Sequence, residues 1–368
     1  MRILMAGGGT AGHINPALAV ANYIKGRCPL SEIAFVGTKE GLESTLVAKA
    51  GFDISFIDVR GFKRKLSTYN IGALKRVFTS YGEAKKIIKT FAPDIVIGTG
   101  GYVSGPVLFA ASRLKIPTMI HEQNAFPGFT SRALARCVDK VLLSFEDSRK
   151  HFKCPDSKVE VVGNPIRQEM IREKKEESRA ALSLDGRPFV VSFAGSLGAR
   201  EINRAVLEFL DRLCATEKFQ YLHATGERGW LWMPKSIEER GIDLSCHKNI
   251  SVVDYIYDMP TVMSAADLVI SRAGAITLSE LAAMGKPSVL IPSPNVTNNH
   301  QYYNARSFAA RGAAVVLDEN KIYEGGLYEA IEALIDDPER MDVMGAAAQK
   351  LAVFDSAEKI YECAVKLL

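Results

Sequence analysis

Residues 3–13 read Ile3-Leu4-Met5-Ala6-Gly7-Gly8-Gly9-Thr10-Ala11-Gly12-His13, an apolar run of strand length that breaks into glycines. A helix-period stretch is expected to begin after Pro16. A strand, a glycine-rich turn and then a helix form the opening unit of a parallel, doubly wound α/β sheet. The pattern continues outward: apolar runs at 33–36, 95–97, 118–120 and 141–143 alternate with helix-period segments. Continuous apolar runs, rather than alternating ones, mark strands buried on both faces. The same grammar restarts after Asn164-Pro165, with strands expected at 189–194, 220–223, 250–252, 268–270 and 288–291. Behind the first of these stands another glycine turn, Gly195-Ser196-Leu197-Gly198-Ala199.

Two doubly wound α/β domains are therefore expected, 1–163 and 164–355. The charged stretch Arg172-Glu173-Lys174-Lys175-Glu176-Glu177 opens a solvated helix just inside the second. Behind Asp355 and Glu358, the residues Ile360, Tyr361, Ala364 and Leu368 recur at helical spacing, so a final helix is expected over 356–368.

At 368 residues the chain exceeds the size at which one core keeps growing, which agrees with two domains. A composition 47% hydrophobic and 24% charged, without low-complexity tracts, is that of a folded globular protein. No run approaches the 18 or so apolar residues of a spanning helix, so membrane contact must be peripheral. Gly7-Gly8-Gly9 cuts the N-terminal apolar stretch before the length of an export signal is reached. The cysteines Cys28, Cys137, Cys154, Cys214, Cys246 and Cys363 form no CxxC pair, the pattern of reduced thiols in a cytoplasmic protein.

The net charge of +4 is unevenly placed. Between Arg60 and Thr90 nine basic residues face Glu83 alone, a local net of +8. This is a single positive patch on a nearly neutral enzyme, not the uniform basicity of a nucleic-acid binder. Its segment Gly61-Phe62-Lys63-Arg64-Lys65-Leu66 precedes an expected helix with Ile71, Leu74, Phe78 and Tyr81 at helical spacing.

Gly7-x-Gly9-x-x-Gly12 satisfies the dinucleotide fingerprint and sits where that fingerprint belongs. A nicotinamide-binding unit also needs an acid at the end of its second strand to hold the ribose. Here 33–36 runs into Gly37-Thr38. The turn also lacks the Lys-Ser/Thr of a P-loop and ends in His13, the side-chain type suited to accept a proton near neutral pH. A second glycine turn, Gly98-Thr99-Gly100-Gly101-Tyr102-Val103-Ser104-Gly105, follows the strand at 94–97 and lines the same carboxyl-end rim.

His121-Glu122-Gln123-Asn124 ends another strand; with no second histidine four positions on, it is not a zinc helix. No metal site is supported elsewhere, and His151, His223 and His247 read as surface or core histidines. Helix termini and cations can offset an anion's charge without a metal, and Arg167, Ser196 and the turn amides are candidates for this. In Ile270-Ser271-Arg272-Ala273-Gly274-Ala275-Ile276-Thr277-Leu278-Ser279-Glu280-Leu281 a strand ends, a glycine turns the chain and a helix starts. A carboxylate at Glu280 can accept both ribose hydroxyls while the helix start faces a diphosphate.

In joint order and spacing, GGGTAGHINPALA, GTGGYVSGP, HEQNAFPG, VGNPIR, GSLGAR, ISRAGAITLSEL and NNHQYYNA resemble the MurG family over nearly the whole chain. That family transfers N-acetylglucosamine from UDP-GlcNAc to the undecaprenyl-pyrophosphoryl-N-acetylmuramyl-pentapeptide of cell-wall synthesis. The resemblance implies an inverting, cofactor-free glycosyltransferase of GT-B architecture, two Rossmann-like domains across a cleft, with the last helix returning to the first. It implies a peripheral enzyme at the cytoplasmic face of the membrane, partnered by UDP-GlcNAc, the lipid-linked acceptor and an anionic membrane surface, with no nucleic acid.

Carried over by motif, Arg167 and Ser196 would meet the diphosphate, Ile256 the uracil and Glu280 the ribose. Gln301 would meet the sugar hydroxyls, and Ala275, Ile276, Thr277, Leu278 and Ser279 would complete the donor site. Asn124 and the Thr10-Ala11-Gly12 turn would approach the sugar. Gly9, Gly100, Gly101, Tyr102 and Ser104 would bind the acceptor, and His13 would be the base on its 4-hydroxyl.

Ala11 stands where many relatives have glycine, and 295–300 lacks the charges some relatives carry. If the turn needs a positive φ at Ala11, the cradle is strained. A GT-B enzyme acting on another membrane lipid such as diacylglycerol, a nicotinamide dehydrogenase and a non-catalytic sugar-nucleotide sensor are the alternatives. NADH binding would mark the dehydrogenase, and UDP binding without turnover the sensor.

Overall fold

In the computed structural model the described backbone covers residues 1–60 and 68–368, with side chains described for all of these except 68–75, 77 and 78. The chain divides into two compact units, Met1–Ile166 with Val353–Leu368, and Arg167–Ala352.

In the first unit the strands are β1 (Arg2–Gly7), β2 (Glu32–Gly37), β3 (Asp53–Phe56), β4 (Ile95–Gly100), β5 (Thr118–Glu122), β6 (Lys140–Leu143) and β7 (Val159–Val161). They form one parallel sheet in the order β3-β2-β1-β4-β5-β6-β7. Ile3 of β1 lies opposite Ile33 and Ile95, and Met5 opposite Phe35 and Ile97. These rows face a layer containing Ile14, Val20 and Ile24 of the helix Ala11–Arg27. Leu4, Ala6, Val36 and Val96 point to the other face, against Val103, Val107 and Leu108 of the helix Gly101–Arg113 and Ala84 and Ile88 of the helix Thr68–Phe91. Both faces are covered, which is why β1 and β4 read as unbroken apolar runs.

The final helix, Ser356–Leu367, packs in this unit. Its Ile360, Cys363 and Ala364 join the first layer, and Tyr361 OH lies 3.2 Å from Cys28 Sγ. Asp355 precedes this helix without a side-chain capping bond; its carboxylate pairs with Lys359 at 2.9 Å instead.

The second unit repeats the design with β8 (Phe189–Phe193), β9 (Gln220–Ala224), β10 (Ile250–Val253), β11 (Leu268–Ser271), β12 (Ser288–Leu290) and β13 (Val315–Val316), parallel in the order β10-β9-β8-β11-β12-β13. The helix Arg200–Thr216 lays Ile202, Val206, Phe209 and Leu213 into its core.

Two local readings differ from the sequence expectation. The first helix starts at Ala11, not after Pro16, and Pro16 is buried inside it at the loss of one backbone rung. The positive φ of the turn falls on Gly9, at 88°, and Ala11 is already helical, so the alanine brings no strain there.

Candidate active site

In each sheet the strand order reverses once, between β1 and β4 and between β8 and β11. Ligands of open α/β sheets bind outside the carboxyl ends of the strands at that reversal. The glycine turns stand behind these strands.

In the first unit the two turns close on each other. A Cβ at Gly101 would come 2.2 Å from Gly8 O, and one at Gly9 would come 2.9 Å from the Tyr102 ring. Ser104, fully buried, locks the second turn: its Oγ accepts from Gly100 N–H at 3.0 Å and lies 2.7 Å from Ala6 O. Its part is to hold the turn, since no face of it reaches solvent. Thr10, Ala11 and Gly12 are exposed at the helix start. His13 sits two residues into the helix with its imidazole against Gly100, where a Cβ would come 3.0 Å from Nδ1, and that nitrogen lies 3.3 Å from Gln123 Oε1. Asn124 donates backbone and side-chain N–H groups to Glu122 Oε1, both at 3.1 Å.

Sequence reading missed Glu43. Its carboxylate is wholly buried and accepts Gly9 N–H at 3.1 Å, Thr38 N–H at 2.9 Å and the Thr38 hydroxyl at 2.7 Å. An acid does therefore stand just beyond β2, but its donors are internal and it is sealed from a ribose. The dehydrogenase reading gains nothing from it.

In the second unit Ser196 is exposed in the turn behind β8, with φ of 81° at Gly195 and 74° at Gly198. Ile256 is buried beyond β10. The helix Ala275–Ala283 carries Ile276, Thr277, Ser279 and Glu280. Its Leu278 is fully buried, and its N–H is spent on Gly274 O, so it supports the helix rather than presenting a ligand group. Arg167 donates to Glu280 Oε1 from Nε and Nη2, at 3.2 and 3.1 Å. Burial pushes the Glu280 carboxyl above its ordinary value, and the Arg167 charge opposes that shift.

Gln301 begins the second position of the helix His300–Ala309, and its Oε1 accepts Ser293 N–H at 2.8 Å, which turns Nε2 outward from that bond. Asn298 and Asn299, in the segment lacking charges, take left-handed φ of 55° and 51° that asparagine tolerates. Arg272, unassigned by sequence reading, forms an ion pair with Glu319 and donates to Ile291 O at 3.1 Å, pinning the loop behind β11. Among the described residues no group of three or more His, Cys, Asp or Glu could hold a metal ion. His223 is a core histidine, bonded to Ser192 and Asn203 and pushed down to about 3 by burial.

Family models describing the N-terminal and C-terminal domains of glycosyltransferase family 28 match residues 3–143 and 189–360. A UDP-N-acetylglucosamine–N-acetylmuramyl-(pentapeptide) pyrophosphoryl-undecaprenol N-acetylglucosamine transferase of Acetivibrio thermocellus is 49% identical over 98% of this chain and 97% of its own. The transferase of the same name from Ruminiclostridium cellulolyticum is 46% identical over 98% of each chain. Among solved structures, Acinetobacter baumannii MurG superposes with a TM-score of 0.79 at 28% identity, covering 99% of both chains. The UDP-GlcNAc 2-epimerase of Neisseria meningitidis, 17% identical with a TM-score of 0.67 over both whole chains, shares the fold. The two switch-point sites thus stand on two Rossmann-like domains of GT-B type, and the chain belongs to glycosyltransferase family 28 and, within it, to the MurG family.

Proposed function

We propose that the protein transfers N-acetylglucosamine from UDP-GlcNAc to the 4-hydroxyl of the muramyl sugar in undecaprenyl-pyrophosphoryl-N-acetylmuramyl-pentapeptide, converting lipid I to lipid II. The carrying observation is 49% identity, end to end, to a curated transferase of that activity. The first domain, 1–163 with the terminal helix, takes the acceptor, and the second, 164–355, takes the donor. The 4-hydroxyl attacks C1 of the sugar, its proton passes to His13, and the C1–O bond to UDP breaks, so the anomeric centre inverts.

Arg167, Ser196 and the amides opening the helices Arg200–Thr216 and Ala275–Ala283 meet the charge that develops on UDP. Glu280 accepts the ribose hydroxyls, Ile256 lies against the uracil, and the outward Nε2 of Gln301 donates to a sugar hydroxyl. The acceptor's lipid tail stays in the bilayer, so the enzyme works at the cytoplasmic face, held by the basic patch. Among the described residues no helix is long and apolar enough to cross a membrane. Lys63, Arg64, Lys65 and Leu66 of the patch lie outside the described residues, as do the side chains of Ile71, Leu74, Lys75 and Phe78. Lys86 and Lys89 are exposed on the helix Thr68–Phe91.

Mass spectrometry of products formed from UDP-GlcNAc and a soluble analogue of the muramyl lipid, with proton coupling constants of the new bond, tests the reading. A disaccharide with a β-1,4 linkage is expected. No transfer, or an α linkage, would overturn it.

A further inference from the structure

His13 belongs to a chain of hydrogen bonds whose direction can be followed from a fixed end, all of it within the first unit. Gln123 is 2% exposed, and its amide nitrogen lies 3.1 Å from the backbone carbonyl of His121. A backbone carbonyl only accepts, so this edge of the amide must be the NH2 group, and the opposite edge, Oε1, is the one turned to His13. Oε1 is an acceptor, so the His13 Nδ1 at 3.3 Å must carry the proton.

The far end agrees. His121 Nε2 lies 2.9 Å from Gly163 O and must donate to it, which leaves His121 Nδ1 to accept from Gln123 Nε2 at 3.1 Å. Ser144 Oγ, 3.0 Å from the same Nε2, hands its own proton to Asn164 Oδ1 at 2.7 Å, and Asn164 Nδ2 returns a bond to Gln123 O at 3.2 Å. No member conflicts with any other. Burial also holds His121 down to about 4, so it remains neutral and places no charge behind Gln123 near neutral pH.

We propose that Gln123 is a positioning residue that, oriented by the His121 carbonyl and imidazole, locks neutral His13 into its Nδ1–H tautomer and makes Nε2 the proton-accepting nitrogen. This rests on the reading of His13 as the base. A histidine held in the wrong tautomer cannot take the acceptor's proton, however well it is placed. A glutamine here sets the tautomer without adding charge; a carboxylate would also raise the basicity of the ring.

The test is nitrogen-15 NMR of the full-length protein labelled in its histidine side chains, with the His13 signals assigned by their loss in His13→Asn, combined with steady-state kinetics. The wild type is expected to show Nδ1 protonated and Nε2 unprotonated. Gln123→Met, which keeps the volume and removes the acceptor, is expected to give a mixture of tautomers and lower kcat by about 10- to 100-fold, the size of effect known for removing the orienting partner of a metal-bound histidine. The KM for UDP-GlcNAc should stay within about twofold, and UDP binding and melting temperature show whether the variant is folded. Nε2 protonated in the wild type, or an unaltered tautomer in folded Gln123→Met, overturns the relay; so does an altered tautomer with unaltered kcat. Failure of the base reading shows itself separately, as His13→Ala with normal turnover.

Discussion

Arg167 reaches Glu280 through two nitrogens, Nε and Nη2, and both bonds fall on the same carboxylate oxygen, Oε1. Oε2 is left unengaged by the arginine, so the pair can persist while the carboxylate accepts a further donor. The arginine side chain is 55% exposed and the glutamate 12%, so the pair spans the boundary from solvent to interior. As a surface contact it adds little stability. Its charge opposes the upward shift that burial imposes on the carboxyl.

Glu280→Ala is expected to weaken UDP-GlcNAc binding by about 1.5 to 3 kcal/mol, the range for hydrogen bonds to a charged group, and to leave the fold intact. Because burial raises the Glu280 pKa, the accepting carboxylate form is complete only well above the raised value and is lost as pH falls through it. Donor affinity should therefore decline at a higher pH than an ordinary glutamate would allow. Arg167→Ala removes the opposing charge and should move that decline higher still. Calorimetric titration from neutral pH downward reads both effects; a pH-independent dissociation constant would take Glu280 off the ribose.

His13→Ala should lower turnover by roughly 10² to 10⁴, the contribution of a positioned general base, with donor affinity little changed. Single-turnover rates on a soluble acceptor separate the chemical step from release. A variant with normal single-turnover rates would return His13 to a packing role against Gly100.

The strands that frame both sites were legible because they are buried on both faces: β1, β4, β8 and β11 are apolar runs that end in glycine or a turn. β3 (Asp53–Phe56) escaped because it is partly exposed and alternates weakly, and β13 because two residues carry no period. Of the residues proposed for the site, His13, Arg167 and Glu280 could be found next to turns whose glycines mark close backbone approach. Glu43 could not. It meets Gly9 from 34 positions away, and Gln123 meets His13 from 110. Spacing along a chain carries no signal for contacts made by packing one loop on another. Leu278 and Ser104 show the converse, since motif neighbours of a site can be buried supports for it.

The basic patch should bind anionic surfaces. Each nearby Lys or Arg contributes roughly 1 kcal/mol at an anionic bilayer, so four engaged cations would hold the enzyme reversibly. The protein is expected to sediment with anionic but not neutral vesicles and to be released in part by salt. Lys63→Glu with Lys65→Glu and Lys75→Glu should reduce binding and activity on lipid-embedded acceptor while activity on a soluble analogue persists. Equal sedimentation of wild type and variant would place the membrane-binding face elsewhere.

Glu43 offers a test of how the first glycine turn is held. Its two oxygens accept three donors: Oε1 takes Thr38 N–H and hydroxyl, and Oε2 takes Gly9 N–H. An isosteric amide must set its NH2 group against one of these donors. Glu43→Gln is therefore expected to destabilise the first unit by about 1 to 3 kcal/mol, the cost of leaving a buried donor unsatisfied. Glu43→Ala also leaves a cavity and should cost more. Denaturant unfolding followed by probes in each unit should show the loss in the first transition, with UDP binding by the second unit unchanged. Because the lost bond releases Gly9 at the head of the turn, the KM for acceptor should rise more than the KM for donor. Full stability of Glu43→Gln together with an unaltered acceptor KM would show that the turn is set by the Gly8–Gly101 and Gly9–Tyr102 contacts alone.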